Sequence, residues 1–115
     1  MKFTSGEINI ICTNIENSLT FYKDILEFEF VEQEGIAYRL RNGDHVYLLL
    51  PVAKSKSEKK PYCSVPEFSI DLLADDLKDA RRHLKSHNIV IEKEDEFSAI
   101  IRDPDGLVIE VIQKM

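Results

Sequence analysis

The 115-residue sequence contains no tryptophan, and it has only two cysteines, four glycines and four prolines. Without tryptophan the chain lacks the largest aromatic side chain on which a planar ligand could stack. Cys12 and Cys63 fit no metal-binding spacing, so we interpret each as a reduced thiol, buried or in a loop. The sequence also offers no Ser-His-Asp or Cys-His arrangement and no glycine-rich phosphate loop. These absences disfavour the common nucleophilic and phosphate-binding mechanisms.

Long apolar runs and an excess of basic residues are also missing. No run approaches the ~18 apolar residues that span a bilayer, and residues 1–6 lead into charge without a signal-peptide core. We therefore expect a single cytoplasmic domain that does not enter a membrane. A net charge of −6 and a pI near 5.0 argue against nucleic-acid binding, which needs a basic patch. The lysine-rich stretch 54–60 is interpreted as a solvated linker. Pro51 precedes it, and Pro61 and Pro66 follow it.

An internal repeat is the main positive feature of the sequence. Asn14 opens an amphipathic helix after one strand, and Asp76, 62 positions later, does the same after another. Each half has one apolar sheet face and too little core to be stable alone. The sequence therefore predicts an α+β fold of two βαβββ repeats, with curved mixed sheets around a cleft. Repeat one is placed at about 5–52, the linker at about 53–65 and repeat two at about 66–115, all in one domain.

Hydrophobic periodicity assigns the elements of the two repeats. In the first strand Ile8, Ile10 and Cys12 form an apolar face that should contact the helix, whereas Glu7 and Asn9 face the other way. The predicted strands are 7–13, 28–33, 37–41 and 45–50, then 67–73, 90–93, 98–102 and 107–113. Helix one is capped by Thr13 or Asn14 and helix two by Asp75 or Asp76, and Asn88 suits the left-handed end of helix two. Asn42-Gly43 and Asp103-Pro104-Asp105-Gly106 are predicted turns.

Four segments in this order resemble the vicinal oxygen chelate superfamily, which holds glyoxalase I, extradiol dioxygenases and bleomycin resistance proteins. The segments are Asn14-Ile15-Glu16-Asn17-Ser18-Leu19, Phe21-Tyr22-Lys23-Asp24-Ile25-Leu26, Ala74-Asp75-Asp76-Leu77 and Asp103 to Glu110. The resemblance covers nearly the whole chain. Family members usually have glycine where this chain has Glu27. If the position requires a positive φ, glutamate there is strained by ~1 kcal/mol relative to glycine.

The resemblance also implies where a metal would lie. Catalytic members hold a divalent ion with four side chains, typically His or Glu, from the first and last strands of each repeat. Those positions fall on Glu7, Leu48, Ser69 and Glu110 here. A catalytic transition-metal site needs about three good side-chain ligands and an open position. The sequence therefore predicts no cofactor, and a divalent metal held by Glu7 and Glu110 is the alternative.

The three histidines do not complete that site. His83 and His87 lie four apart on helix two, a spacing that can place two imidazoles on one metal. Because Arg81, Arg82 and Lys85 surround them, a solvated polar face is the preferred interpretation. His45 lies beside the Asn42-Gly43 turn, and it could supply a ligand only if the strand register slips.

The residues predicted to line the cleft are mostly acidic or polar: Glu7, Asn9, Ser69, Asp71 and Glu110. A cleft with such carboxylates favours a small organic ligand, and a cationic one in particular. In the alternative, Glu7 is simply exposed and Asp71 pairs with Arg39, Arg41 or Arg102. The catalytic residues stay unknown.

Three functions remain open: a metal-free binding protein of the bleomycin resistance type, a metal-dependent lyase, isomerase or dioxygenase, and a non-catalytic structural or regulatory module. We favour the first because metal ligands are missing. A homodimer is expected, because a second copy would cover strand edges and the family usually assembles this way.

Overall fold

A computed structural model describes all 115 residues. The chain divides into two compact units, Met1–Lys56 and Ser57–Met115, and each is described by itself. No helix in the chain is long and apolar enough to span a lipid bilayer.

The first unit contains one mixed sheet and one helical segment. Its strands are β1 (Ile8–Ile11), β2 (Glu29–Glu34), β3 (Ala37–Asn42) and β4 (His45–Leu50). They are arranged in the order β1-β4-β3-β2, with β1 parallel to β4 and the other neighbours antiparallel. Helix α1 (Ile15–Leu19) follows β1 directly. This is the predicted βαβββ repeat.

The alternation predicted for β1 determines which face of its sheet is buried. Ile10 is 2% exposed and lies opposite Leu49 of β4, which is fully buried. Its neighbour Ile11 is 43% exposed, because adjacent strand residues point to opposite faces. On the buried side Phe28 contacts Tyr22, which follows α1, and Tyr47 of β4, with ring centroids 5.6 and 5.0 Å apart. The helical segment therefore covers this face, and the other face of the sheet is open.

The first helix begins as predicted but changes its hydrogen-bonding pattern partway along. The Asn14 side chain caps α1 by accepting a hydrogen bond from the Asn17 amide at 3.0 Å. After Leu19 the chain continues as a π-helical segment, Thr20–Ile25. This wider turn places Phe21, Tyr22 and Ile25 inward together. The amphipathic pattern predicts a regular α-helix, because it contains no signal for the i→i+5 hydrogen bonds of a π-helix.

The second unit has the same topology. Its strands are β5 (Ile70–Ala74), β6 (Lys93–Glu94), β7 (Ser98–Arg102) and β8 (Val108–Gln113), in the order β5-β8-β7-β6. Helix α2 (Leu77–Ser86) is capped by Asp76, which accepts from the amides of Lys78 and Asp79. Leu77 and Leu84 are its buried residues. The two-repeat α+β fold is therefore confirmed.

Several predicted boundaries are wrong. The strand predicted at 7–13 is only the four residues Ile8–Ile11, and the strand predicted at 90–93 is the two-residue Lys93–Glu94. Before Lys93, the Glu92 amide donates one backbone hydrogen bond to the Ile100 carbonyl of β7, at 2.9 Å. Hydrophobic alternation therefore overestimates strand length where a neighbouring strand pairs with only part of the segment.

Two residues have the left-handed backbone that the sequence indicated. Asn88 has φ of 61° at the end of α2, as predicted for a helix terminus. Glu27 has φ of 63°, so the position where the family usually has glycine does require a positive φ. Glutamate there is strained by ~1 kcal/mol relative to glycine.

The lysine-rich linker is exposed, but two of its residues make specific polar contacts. Within the second unit the Ser57 amide donates to the Asp105 carbonyl at 2.9 Å, and Lys59 pairs with Glu92 at 3.1 Å. The interpretation as a purely solvated linker is therefore incomplete. Cys12 is buried and Cys63 is exposed, and neither forms a disulfide, as predicted.

Candidate functional site: the open faces of the two sheets

Three residues that pair across neighbouring strands form the centre of the open face of the first sheet. Asn9 of β1 lies beside Leu48 of β4, and Leu48 lies beside Arg39 of β3. Glu7, one residue before β1, reaches the same face because side chains two apart in an extended chain point the same way. The predicted residues Glu7 and Asn9 thus share a face, with Leu48 next to them.

Arg39 binds the carboxylate of Glu7 and two others on this face. Its Nε donates to Glu7 Oε2 at 2.7 Å, and its Nη2 donates to Glu34 Oε2 at 2.9 Å. Its Nη1 donates to Glu32. The hydrogen bonds to Glu7 and Glu34 raise the pKa of Arg39 further above its usual range, so this side chain stays a cation. The Glu7 carboxylate is therefore already bound to a cation of the protein itself.

The open face of the second sheet carries two carboxylates side by side. Asp71 of β5 lies beside Glu110 of β8, and Ile100 of β7 lies on the other side of Glu110. Ser69, one residue before β5, has its hydroxyl 3.2 Å from the Tyr62 hydroxyl. The second unit thus brings the predicted Asp71 and Glu110 together on one face.

In the alternative interpretation, an arginine neutralises Asp71. The three candidate arginines are engaged with other carboxylates in the structure. Arg39 binds Glu7, Glu32 and Glu34, Arg41 lies 3.8 Å from Glu29, and Arg102 binds Glu92.

Strand register decides which residues are equivalent in the two repeats. Asn9 pairs with Leu48 in the first sheet, and Asp71 pairs with Glu110 in the second, each 62 positions later. Leu48 therefore occupies in the first repeat the place that Glu110 occupies in the second. His45 does not supply the missing ligand, because β4 is in register with His45 opposite Asn42 and the His45 side chain is exposed.

The donor set does not fit the divalent metal that the resemblance implies. Of the four implied positions, Leu48 has no donor atom, Ser69 offers a neutral hydroxyl, and Glu7 is bound to Arg39. A metal ion at Glu7 would have to displace a guanidinium and would then be repelled by it. No group of three or more His, Cys, Asp or Glu side chains is placed to hold a metal ion.

Sequence reasoning missed the role of Arg39. The signal was the hairpin formed by β2 and β3 around Gly35, in which Glu32 lies opposite Arg39. Opposite charges across a hairpin are typical stabilising pairs. A register shift between Phe30 and Glu32 places Glu32 on this face, and alternation alone could not predict that shift.

Comparison with known proteins agrees with this fold. The family model of the Glyoxalase/Bleomycin resistance protein/Dioxygenase superfamily matches residues 4–111. No curated protein matches the sequence.

Solved structures with the same fold belong to proteins with several different names. Glyoxalase I from Leishmania major has a TM-score of 0.77 at 22% identity, covering 93% of this chain and 84% of its own. A fosfomycin resistance protein from Listeria monocytogenes has a TM-score of 0.79 at 11% identity, covering 100% and 94%. An antibiotic-binding protein from a Streptomyces species has a TM-score of 0.69 at 18% identity, covering 100% of both chains. At these identities the likeness concerns the fold alone.

Proposed function

The chain belongs to the Glyoxalase/Bleomycin resistance protein/Dioxygenase superfamily, and we propose that it binds a small organic molecule without a complete metal centre and without catalysis. The observation that carries this proposal is the ion pair between Arg39 and Glu7. The pair puts a fixed organic cation where the resemblance implies a metal ligand. A protein with this arrangement has lost the Lewis acid of its catalytic relatives but keeps polar sheet faces on which a ligand can bind.

The metal assay tests the first part of the proposal. After loading with Ni²⁺, Zn²⁺, Fe²⁺ or Mn²⁺ and dialysis, we expect that Glu7 and Glu110 retain no metal ion, because two carboxylates, one of them paired to Arg39, are too few ligands. Elemental analysis of the dialysed protein measures retention. Glu110→Ala is the test variant. Glu16→Ala, which removes a carboxylate from α1, is the matched control. Stoichiometric metal that is lost only with Glu110→Ala would contradict the proposal.

The charges on the open faces support a cationic ligand. Around Arg39, three carboxylates face one guanidinium. In the second sheet the neighbouring carboxylates of Asp71 and Glu110 form no ion pair. We propose that Glu7, Asn9, Ser69, Asp71 and Glu110 contact the ligand, and that its positive group lies at these carboxylates. An anion would be disfavoured by ~1 kcal/mol per charge at 4 Å, even in water.

A thermal-shift screen tests this ligand class. We expect organic cations, and not matched anions, to raise the melting temperature with concentration, because a ligand that binds only the folded state stabilises it. Glu110→Gln and Glu7→Gln should weaken that stabilisation, whereas Glu16→Gln, on α1, should leave it unchanged. Stabilisation by anions alone, unaffected by Glu7→Gln and Glu110→Gln, would contradict the proposal and implicate Arg39 as the ligand's partner.

We also retain the homodimer as a proposal. Each sheet has two edge strands, and Phe68 and Leu73, before and within the edge strand β5, are exposed. A second copy could cover both the strand edge and the apolar side chains. Sedimentation at the mass of a single 13.3 kDa chain would contradict it.

A further inference from the structure

His83 and His87 lie together on helix α2. They are four residues apart, and their ring centroids are 4.8 Å apart with an interplanar angle of 63°. His83 is half-buried, and His87 is exposed at the C-cap of the helix. Side chains at i and i+4 are neighbours on a helix surface, and two histidines at this spacing can bind one metal ion.

The cations near these histidines are mostly neutralised in the structure. Arg82 donates to Asp79 at 3.1 Å. Arg81 points toward β7, where its Nη2 donates to the Ser98 carbonyl at 3.3 Å, and its Nε is 3.2 Å from Glu94. Of the three cations that disfavoured a metal in the sequence, only Lys85 has no acidic partner. These paired side chains therefore repel a bound metal ion much less than three unpaired cations would.

The position on the helix adds a favourable contribution. His83 lies in the last turn of α2, and His87 is its C-cap residue. The carbonyl groups at a helix C-terminus carry a partial negative charge, which favours a cation bound there. Imidazole nitrogens are good ligands for Zn²⁺, Ni²⁺ and Cu²⁺, with Zn–N bonds of about 2.0–2.1 Å.

We propose that His83 and His87 form a two-histidine surface site for a late divalent transition-metal ion. The ion is bound by one nitrogen from each ring, and water completes its coordination. The site is on α2 and uses none of the ligands that the superfamily resemblance implies. It is therefore independent of the ligand-binding function proposed above.

The experiment uses the full chain without a histidine tag and Cu²⁺ as the probe, in a Cys63→Ser background because the exposed thiol of Cys63 would itself bind and reduce Cu²⁺. Copper is titrated against a chromophoric competitor to give the affinity and the number of ions bound. We expect one ion per chain. His83→Gln and His87→Gln should each weaken binding by at least about tenfold, since even an outer-shell partner of a metal ligand is worth about 10- to 100-fold. His45→Gln, which removes an isolated exposed histidine, is the matched control and should change nothing.

A second measurement locates the ion. Paramagnetic Cu²⁺ should broaden the imidazole proton NMR signals of His83 and His87 at lower metal concentration than those of His45. Unchanged affinity in the double variant His83→Gln/His87→Gln, or broadening of His45 first, would overturn the proposal. Loss of copper binding with Glu110→Ala, and not with the histidine variants, would overturn the histidine site and would also contradict the proposal that the sheet faces bind no metal. The two proposals can therefore fail separately.

Discussion

Replacing Ile10 with alanine is expected to lower the free energy of unfolding by about 3 kcal/mol. Ile10 is 2% exposed and lies beside the fully buried Leu49 on the helix-covered face of the first sheet. Truncation removes buried methyl and methylene groups and leaves a cavity that the surrounding strands and helix fill only in part. Urea unfolding followed by circular dichroism measures the change, with the denaturant slope expected to stay constant.

The next residue supplies the control. Ile11 has the same side chain in the same strand but points to the open face and is 43% exposed. Ile11→Ala should therefore lower the free energy of unfolding by roughly 1 kcal/mol or less, because much of its side chain already contacts solvent. Equal losses for the two variants would show that the helix does not cover the face assigned to it.

Properties that depend on short stretches of sequence could be predicted. The alternation of Ile10 and Ile11 has a period of two residues and needs no information from outside β1. The caps at Asn14 and Asp76 likewise depend on a side chain and an amide two or three residues away. These local signals, repeated 62 positions apart, were sufficient to predict both βαβββ repeats.

The candidate site depends on residues that are distant in sequence. Arg39 and Glu7 are 32 positions apart, and their contact requires three strands to pair in the right order. Glu32 reaches the same guanidinium only because the β2–β3 register shifts. Sequence pattern could identify Glu7 and Arg39 as charged residues on strands, but it could not show that one neutralises the other.

Strand register and one ion pair together determine whether the ligand positions implied by the resemblance can bind a metal ion. The resemblance implies four ligand positions, and the register of β1 with β4 places Leu48 at one of them. The structure adds the cation that binds Glu7. Together they support the proposal that this chain shares the fold of catalytic proteins without their metal centre, since function depends on a few side chains and not on the sheet that positions them.

In the second unit, Arg102 of β7 makes several hydrogen bonds, as Arg39 does in the first unit. The Arg102 side chain is only 11% exposed, and its Nε donates to both carboxylate oxygens of Glu92, at 3.0 and 3.2 Å. Its Nη1 donates to the Gly106 carbonyl at 3.0 Å, and its Nη2 donates to the Lys60 carbonyl. One side chain thus fixes the lysine-rich segment and the turn before β8 against the sheet.

Arg102→Met should lower the free energy of unfolding by about 2 to 3 kcal/mol at pH 7. Removing one partner of a buried ion pair lowers stability by about 3 to 5 kcal/mol, and this range is reduced here because Glu92 is partly exposed to screening solvent and keeps its ion pair with Lys59. Thermal and urea unfolding measure the loss. Arg82→Met is the matched control: its exposed pair with Asp79 is worth only about 0.3 kcal/mol.

The hydrogen bonds between Arg102 and Glu92 also predict how stability depends on pH. Burial raises the pKa of Glu92, but the hydrogen bonds from Arg102 and Lys59 outweigh it and hold that pKa below its usual value. A carboxylate with a lowered folded-state pKa stabilises the protein above its unfolded pKa of about 4.3, and this contribution is lost as the pH falls through the folded value. The wild-type protein should therefore lose more stability between pH 6 and pH 3 than Arg102→Met does. Parallel pH profiles for the two proteins would show that the Arg102–Glu92 pair contributes nothing to acid sensitivity.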